Sequence, residues 1–204
     1  MKILNLYAGI GGNRNLWNEL SKYIEVTAVE YDEEIAKVYK DIYKNDTVII
    51  GDAKEYLLQH YKEFDFIWAS PPCQTHSSII NSQYTRESYN AKYPDMSLYQ
   101  IILFLQGHGR GCKWVIENVK PYYNPLIEPS IIIDRHLYWS NFNIDYIKIK
   151  KDYIIKYVTI KDAPCDMGDI KDKRQAIRNQ VNPLIGKHIL ISAIDGYRND
   201  KKQQ

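Results

Sequence analysis

The sequence predicts an α/β fold: a mostly parallel sheet with helices on both faces and an antiparallel edge. Three observations predict it. Up to Val119, short β-branched or apolar runs alternate with helix-like stretches about every 20 residues, the rhythm of a parallel sheet covered on both sides. The first such run leads straight into the glycine-rich turn Gly9-Ile10-Gly11-Gly12, a strand-to-helix junction that lets a ligand approach the backbone. After Val119 the rhythm breaks at Pro121, Pro125 and Pro129, and two strand-like runs follow almost back to back, which suits a hairpin rather than a crossover.

In chain order, strands are expected over residues 3–7, 26–31, 48–50, 64–69 and 113–117. Residues 13–22, 32–43, 54–61 and 95–106 have helix-like apolar spacing and no proline inside, so helices are expected between the strands. Beyond the proline-marked connection, residues 131–134 and 136–143 read as an antiparallel pair at the sheet edge. Residues 145–160 read as one or two further strands with lysines facing out, and a last helix starts at Pro183, a residue suited to a first helical turn, and runs to about residue 194.

Composition narrows the class. The 204 residues are 45% hydrophobic and 25% charged with a net charge of +2, and such a chain can bury roughly 70% of its unfolded surface. Disorder and membrane spanning are both excluded by this composition and by the absence of a long apolar run. The start does not read as a signal peptide, because Asn5, Asn13 and Arg14 interrupt its apolar stretch. Cys73, Cys112 and Cys165 are odd in number and widely spaced, which suits a reducing, cytoplasmic setting, and no Cys-x-x-Cys pair is present to hold a metal. Charge is uneven along the chain: Lys148, Lys150, Lys151 and Lys156 form one basic cluster, and Lys171, Lys173, Arg174 and Arg178 another. Each is read either as a basic face or as solvated surface. No repeat or linker is visible, so residues 1–204 are expected to form one domain.

The chemistry-bearing residues gather at the expected carboxyl ends of the strands, where open α/β sheets bind ligands. Tyr7-Ala8-Gly9-Ile10-Gly11-Gly12 follows the first strand, and Glu30 ends the second, 21 residues beyond Gly9. An acidic residue there accepts hydrogen bonds from ribose hydroxyls, so the pair points to an adenosine-containing ligand. Asp52 after the third strand can accept from an adenine amino group or cap the following helix. The fourth strand ends in Ser70-Pro71-Pro72-Cys73-Gln74 and the fifth in Glu117-Asn118-Val119. A thiol and a carboxyl would thus stand beside the adenosine site.

These residues, in this order, resemble the cytosine-C5 DNA methyltransferase family. Tyr7 to Gly12 is similar to its glycine-rich cofactor loop, Glu30 to its ribose-binding acid, and Gly51-Asp52 to its adenine-binding turn. Pro72-Cys73-Gln74 resembles the nucleophile motif, Glu117-Asn118-Val119 the acid motif, and Asn179-Gln180-Val181-Asn182-Pro183 the last motif, which returns to complete the cofactor pocket. The resemblance implies a Rossmann-like methyltransferase fold that binds S-adenosylmethionine through Tyr7, Ala8, Gly9, Ile10, Gly11, Gly12, Glu30, Tyr31, Asp52, Ala53, Pro72, Asn179, Gln180 and Val181, with no metal. It further implies a cytosine flipped out of double-stranded DNA, attack of Cys73 on C6, and Glu117 acting at N3 with Asn118 fixing Glu117 and the Cys73 loop. The implied setting is cytoplasmic, either nucleoid-associated or in virus-infected cytoplasm, as an orphan or restriction-modification enzyme.

Two departures stand out. The family's Arg-x-Arg strand, whose second arginine contacts the flipped base, matches the stretch from Asp134 to Asn141 here. His136 takes the second arginine's place and Arg135 falls between the two, so either residue is a candidate for the base contact. The usual target-recognition region is reduced to residues 143–170. Recognition is then expected from the polar stretch of residues 75–94, read as a lid with His76, Arg86 and Lys92 free to meet phosphates, or from a specificity subunit or dimer. Two alternatives remain at this level: an RNA cytosine-C5 methyltransferase, and a catalytically silent cofactor-binding subunit of a larger methylase.

Overall fold

The structure, a computed structural model, describes residues 1–20, 23–77, 90–149 and 170–202. Its parallel strands are β1 (Lys2–Leu6), β2 (Glu25–Glu30), β3 (Thr47–Ile50), β4 (Phe66–Ala69) and β5 (Lys113–Val119). Strands β6 (Ile131–Ile133) and β7 (His136–Ser140) follow as an antiparallel pair. The sheet order is β3-β2-β1-β4-β5-β7-β6, with β7 antiparallel to β5. This is the Rossmann-like arrangement the sequence predicts, including its antiparallel edge. From β1 the chain winds outward to β3, then returns to β4 on the other side of β1. The carboxyl ends of β1 and β4 therefore flank the switch point where such sheets bind ligands.

The helices are α1 (Glu33–Ile42), α2 (Ala53–His60), α3 (Ser97–His108), α4 (Lys173–Arg178) and α5 (Pro183–Lys202). Alternation along the central strands divides the core in two. Leu4, Leu6, Ile67 and Ile116 pack with Leu57 of α2 and with Ile101, Ile102 and Leu105 of α3. Ile3, Phe66, Trp68, Val115 and Tyr138 pack on the other face with Trp17 and with Ile185, Ile189, Leu190 and Ala193 of α5. All four residues of β4 are buried, as expected of a parallel strand covered on both faces. No described helix is long and apolar enough to cross a membrane.

The helix expected over residues 13–22 does not form in the described part, residues 13–20. The backbone instead makes successive three-residue steps, Arg14 N–H to Gly11 O, Trp17 N–H to Arg14 O and Leu20 N–H to Trp17 O, and only Trp17–Glu19 is a 3-10 helix. Side chains hold this path from outside. Arg14 is locked bidentately to Asp46 at 2.9 Å through each contact, Asn13 Nδ2 donates to Asn5 Oδ1 at 2.8 Å, and Trp17 Nε1 donates to the Gly186 carbonyl at 3.1 Å. Tertiary anchoring has overridden local helical spacing.

The edge hairpin turns through Asp134 and Arg135, with Asp134 in the left-handed region at φ 56. β7 ends at Ser140, short of the expected residue 143. Asn141 replaces ladder bonds there, accepting from Trp114 N–H at 2.9 Å and donating to the Cys112 carbonyl at 2.8 Å. Residues 145–149 form no strand, and the rest of the expected 145–160 strands, with Lys150, Lys151 and Lys156, lies outside the described residues, as does Cys165. The short helix α4 stands where only a charge cluster is visible in the sequence; Asp172 starts it by accepting from Gln175 N–H at 2.8 Å.

Candidate active site

A cavity of about 560 Å³ opens at the carboxyl ends of β1, β2, β4 and β5. On one side its wall is the turn after β1. Tyr7 enters that turn at φ 55 and Gly9 follows at φ 55, a conformation that glycine adopts freely but a tyrosine holds only at a cost of roughly 1–3 kcal/mol. Burial, and then the carboxylates of Asp52 and Asp95, keep the Tyr7 hydroxyl well above the usual phenol range. The end of β2 is tied to this turn: Glu30 accepts from Gly9 N–H at 2.8 Å, and from Tyr31 and Asp32 N–H at 3.0 and 3.1 Å. Asp52 caps α2 through Oδ1, which takes both Lys54 N–H and Glu55 N–H, and the same residue lines the cavity. The two sequence readings of Asp52 are therefore compatible.

The C-terminal segment closes this side. A Cβ on Gly12 would lie 2.7 Å from the Val181 carbonyl oxygen and 2.8 Å from Gln180 Cβ, so only glycine lets residues 179–181 reach the turn. Asn182 Oδ1 accepts from Leu184 N–H at 2.9 Å and Pro183 begins α5, a cap followed by a first-turn proline. Gly11 does not line the cavity. It faces backward, where its carbonyl accepts from Tyr43 hydroxyl at 2.7 Å and an added Cβ would stand 2.3 Å from the Tyr43 ring. A glycine is needed here for packing against Tyr39 and Tyr43.

On the other side, Cys73 sits in the turn after β4. Asn118 Nδ2 donates to the Pro71 carbonyl at 2.9 Å, while Asn118 Oδ1 accepts from Val119 N–H at 3.0 Å, so β5 holds the proline-rich approach to the cysteine. The Cys73 carbonyl accepts from His76 and Ser77 N–H, each at 3.0 Å. Burial and then the negative charge of Glu117 push the thiol above its ordinary range; a hydrogen bond from its own backbone and the Arg135 guanidinium pull it down. Glu117 is only 6% exposed, and its Oε1 lies 3.6 Å from His136 Nε2, close enough for charge interaction but beyond a hydrogen bond. His136 Nδ1 and the Tyr138 hydroxyl are buried with no hydrogen-bond partner among the described residues. Glu117 and Tyr138 are direct partners in the β5–β7 ladder. Burial, and then Glu117 and Asp134, hold the Tyr138 hydroxyl protonated.

Cys73, Glu117, Asn118 and His136 thus line the same cavity as the predicted cofactor residues other than Gly11. Arg135 is outside the lining, exposed at the hairpin tip, where its carbonyl accepts from Lys120 N–H at 2.9 Å. Its charge still reaches Cys73. His76, expected to meet phosphates, is fully buried; Arg86 lies outside the described residues, and Lys92 is exposed. Asn13, Asp95, Ser97, Gln175 and Arg178 also line the cavity. In the sequence Arg178 stands out only as part of a basic cluster, and nothing in local spacing singles out the others.

A family model for C-5 cytosine-specific DNA methylase matches residues 1–108. The chain belongs to this family of methyltransferases. The matched part includes the glycine turn, Glu30, Asp52 and Cys73, while Glu117, the β6–β7 hairpin and the closing C-terminal segment lie beyond it. Among solved structures, a Spodoptera frugiperda DNMT2 mutant is 26% identical over 61% of this chain and 37% of its own, with a TM-score of 0.44. The S. pombe Dnmt2 methyltransferase is 18% identical over 60% of this chain and 37% of its own, TM-score 0.44. A protein described as a prophage-encoded DNA modification methyltransferase from E. coli is 20% identical over 61% of this chain and 33% of its own, TM-score 0.39. The matches thus take in about a third of these longer chains. No curated protein matches the chain.

Proposed function

We propose that the protein methylates C5 of cytosine in DNA, using S-adenosylmethionine and a transient bond between Cys73 and C6 of a base flipped out of the duplex. The observation that carries this reading is the sharing of one cavity by a half-buried thiol, a buried carboxyl and a glycine turn tied to an acidic strand end. The cofactor fits the residues present. The cavity volume lies in the range of small-molecule sites, Glu30 and Asp52 retain acceptor capacity beyond their backbone bonds, and the exposed ring of Tyr31 stands at the rim. Bound there, S-adenosylmethionine would supply an electrophilic methyl group.

The chain's own residues then divide the work. The Cys73 thiolate adds to C6, and the ring electrons move toward N3, where Glu117 shares a proton with the base once the base is bound. C5 becomes nucleophilic toward the methyl group that the cofactor would supply, and loss of the C5 proton to a base then lets Cys73 leave as the 5,6 double bond re-forms. Asn118 keeps the Pro71-Pro72-Cys73 segment in register with Glu117. His136, in the cavity wall, is suited to contact the base, whereas Arg135 acts on the thiolate's charge from the turn. We assign the chain to one catalytic unit whose sequence readout is small or supplied by a partner chain.

The test is transfer of tritiated methyl from S-adenosylmethionine to duplex DNA and to RNA of the same sequence, followed by nucleoside analysis. Label in 5-methylcytosine from the DNA is expected. Label only in RNA would change the substrate class, and no label in either alongside normal cofactor binding would leave a silent subunit.

A further inference from the structure

His76 is three residues past Cys73, and its buried ring joins three parts of the fold. Nε2 lies 2.9 Å from the Asp95 carbonyl oxygen, and Nδ1 lies 2.6 Å from the Tyr123 hydroxyl. A carbonyl can only accept, so Nε2 carries the proton, and in the neutral ring Nδ1 must accept from Tyr123. The direction continues outward: Tyr99 hydroxyl donates to Tyr123 hydroxyl at 3.4 Å, and Leu126 N–H donates to Tyr99 hydroxyl at 3.2 Å. Every link in this chain has one donor and one acceptor.

The backbone around the ring is tied to the same places. His76 N–H donates to the Cys73 carbonyl, and the His76 carbonyl accepts from Tyr122 N–H, each at 3.0 Å. Asp95 N–H donates to Thr75 Oγ1 at 2.9 Å, and Asp95 itself lines the cavity whose wall includes Cys73.

We propose that His76 is a positioning residue: its neutral, Nε2-protonated ring locks the Cys73–Ser77 turn to Asp95 on the cavity wall and to Tyr123 after β5, and protonation releases that lock. A proton on Nδ1 would face a hydroxyl that is already donating to it. Tyr123 would have to reverse and donate to the Tyr99 hydroxyl instead, and the Tyr99 proton would lose the acceptor it has now. The groups that face the ring are the Asp95 carboxylate, which favours the protonated form, and the Tyr99 and Tyr123 phenols. Burial outweighs Asp95 and holds the ring below the ordinary histidine range. The inference rests on Cys73 as the nucleophile, but its test reads the thiol's environment and the ring's state, and so is independent of methyl transfer.

The test combines nitrogen-15 NMR of the His76 ring with iodoacetamide alkylation of Cys73 followed by peptide mass spectrometry, with Cys112 as the internal control because burial pushes its thiol up to about 11. The Nε2–H tautomer is expected at neutral pH, titrating below 6.5. His76→Phe should raise Cys73 alkylation about tenfold with Cys112 unchanged, and His76→Gln, which can still donate to Asp95, should recover part of the difference. Should His76→Phe fold poorly, Tyr123→Phe removes only the hydroxyl and should raise both the ring pKa and the Cys73 alkylation rate. An Nδ1–H tautomer, a ring titrating at or above 6.5, or Cys73 rates within about twofold of wild type in His76→Phe and Tyr123→Phe would overturn the proposal.

Discussion

The two sides of the cavity are built on opposite terms. On the β1–β3 side the polar groups are already satisfied: Glu30 takes three backbone N–H groups, Asp52 takes two, and residues 179–181 close down on a glycine that leaves no room for a side chain. On the β4–β7 side, Glu117 stands 3.6 Å from His136 Nε2, while that ring's other nitrogen, Nδ1, and the Tyr138 hydroxyl in the core behind it have no hydrogen-bond partner among the described residues. Buried polar atoms are ordinarily bonded. A wall that is complete by itself suits a ligand held in one pose, and a wall with unmet hydrogen bonds suits a partner that arrives during the reaction.

The largest effect should come from the reactive side. Cys73→Ser is expected to lower methyl transfer by about 1,000-fold or more, while calorimetry finds cofactor affinity changed by less than about twofold. Parallel loss of both would mean that the two sides are not separable. Glu117→Gln should lower kcat by roughly 100-fold or more and, at the same time, make Cys73 easier to ionise, because it removes the second cause of the thiol's raised pKa. The alkylation profile of Cys73 should therefore move to lower pH in Glu117→Gln and to higher pH in Arg135→Ala. Movement in the same direction in both variants would break the electrostatic account.

Smaller effects should appear on the satisfied side. Gly12→Ala puts a Cβ against the Val181 carbonyl, and is expected to weaken cofactor binding about tenfold with little change in kcat at saturation. A fall in kcat with unchanged affinity would show that the closing segment serves the reaction instead. The smallest change belongs to the β4–β7 side: Tyr138→Phe deletes a buried hydroxyl that has no hydrogen-bond partner among the described residues. Thermal denaturation should find it neutral or stabilising by up to about 1 kcal/mol, and clear destabilisation would mean that the hydroxyl has a partner after all.

The contrast also explains what could be read from the sequence. β1 to β5 were legible because β-branched runs separated by amphipathic ones can hardly pack otherwise, and the strand ends then gather Glu30, Asp52, Cys73 and Glu117 on one edge. Features set by distant contacts were not legible. The helix after the glycine turn yields to Arg14 pairing with Asp46 and to Trp17 bonding to α5. At Gly11 the sequence gives no sign of the Tyr43 ring packed behind it. His76 reads as a phosphate contact because its three-way lock depends on Asp95 and Tyr123, 19 and 47 residues away. Arg135 and His136 are adjacent, yet the hairpin turn sends one to the tip and leaves the other on the cavity wall.

The central claim is that Cys73 attacks C6 of a cytosine flipped out of DNA, and a duplex carrying 5-fluorocytosine tests it most directly, because fluorine at C5 leaves no proton to remove and the bond to sulfur persists. Incubation with S-adenosylmethionine and such a duplex should give a denaturation-resistant complex whose modified peptide contains Cys73, with the methyl group retained on the base. Absence of any adduct across varied duplex sequences despite normal cofactor binding, or an adduct on another residue, would contradict it.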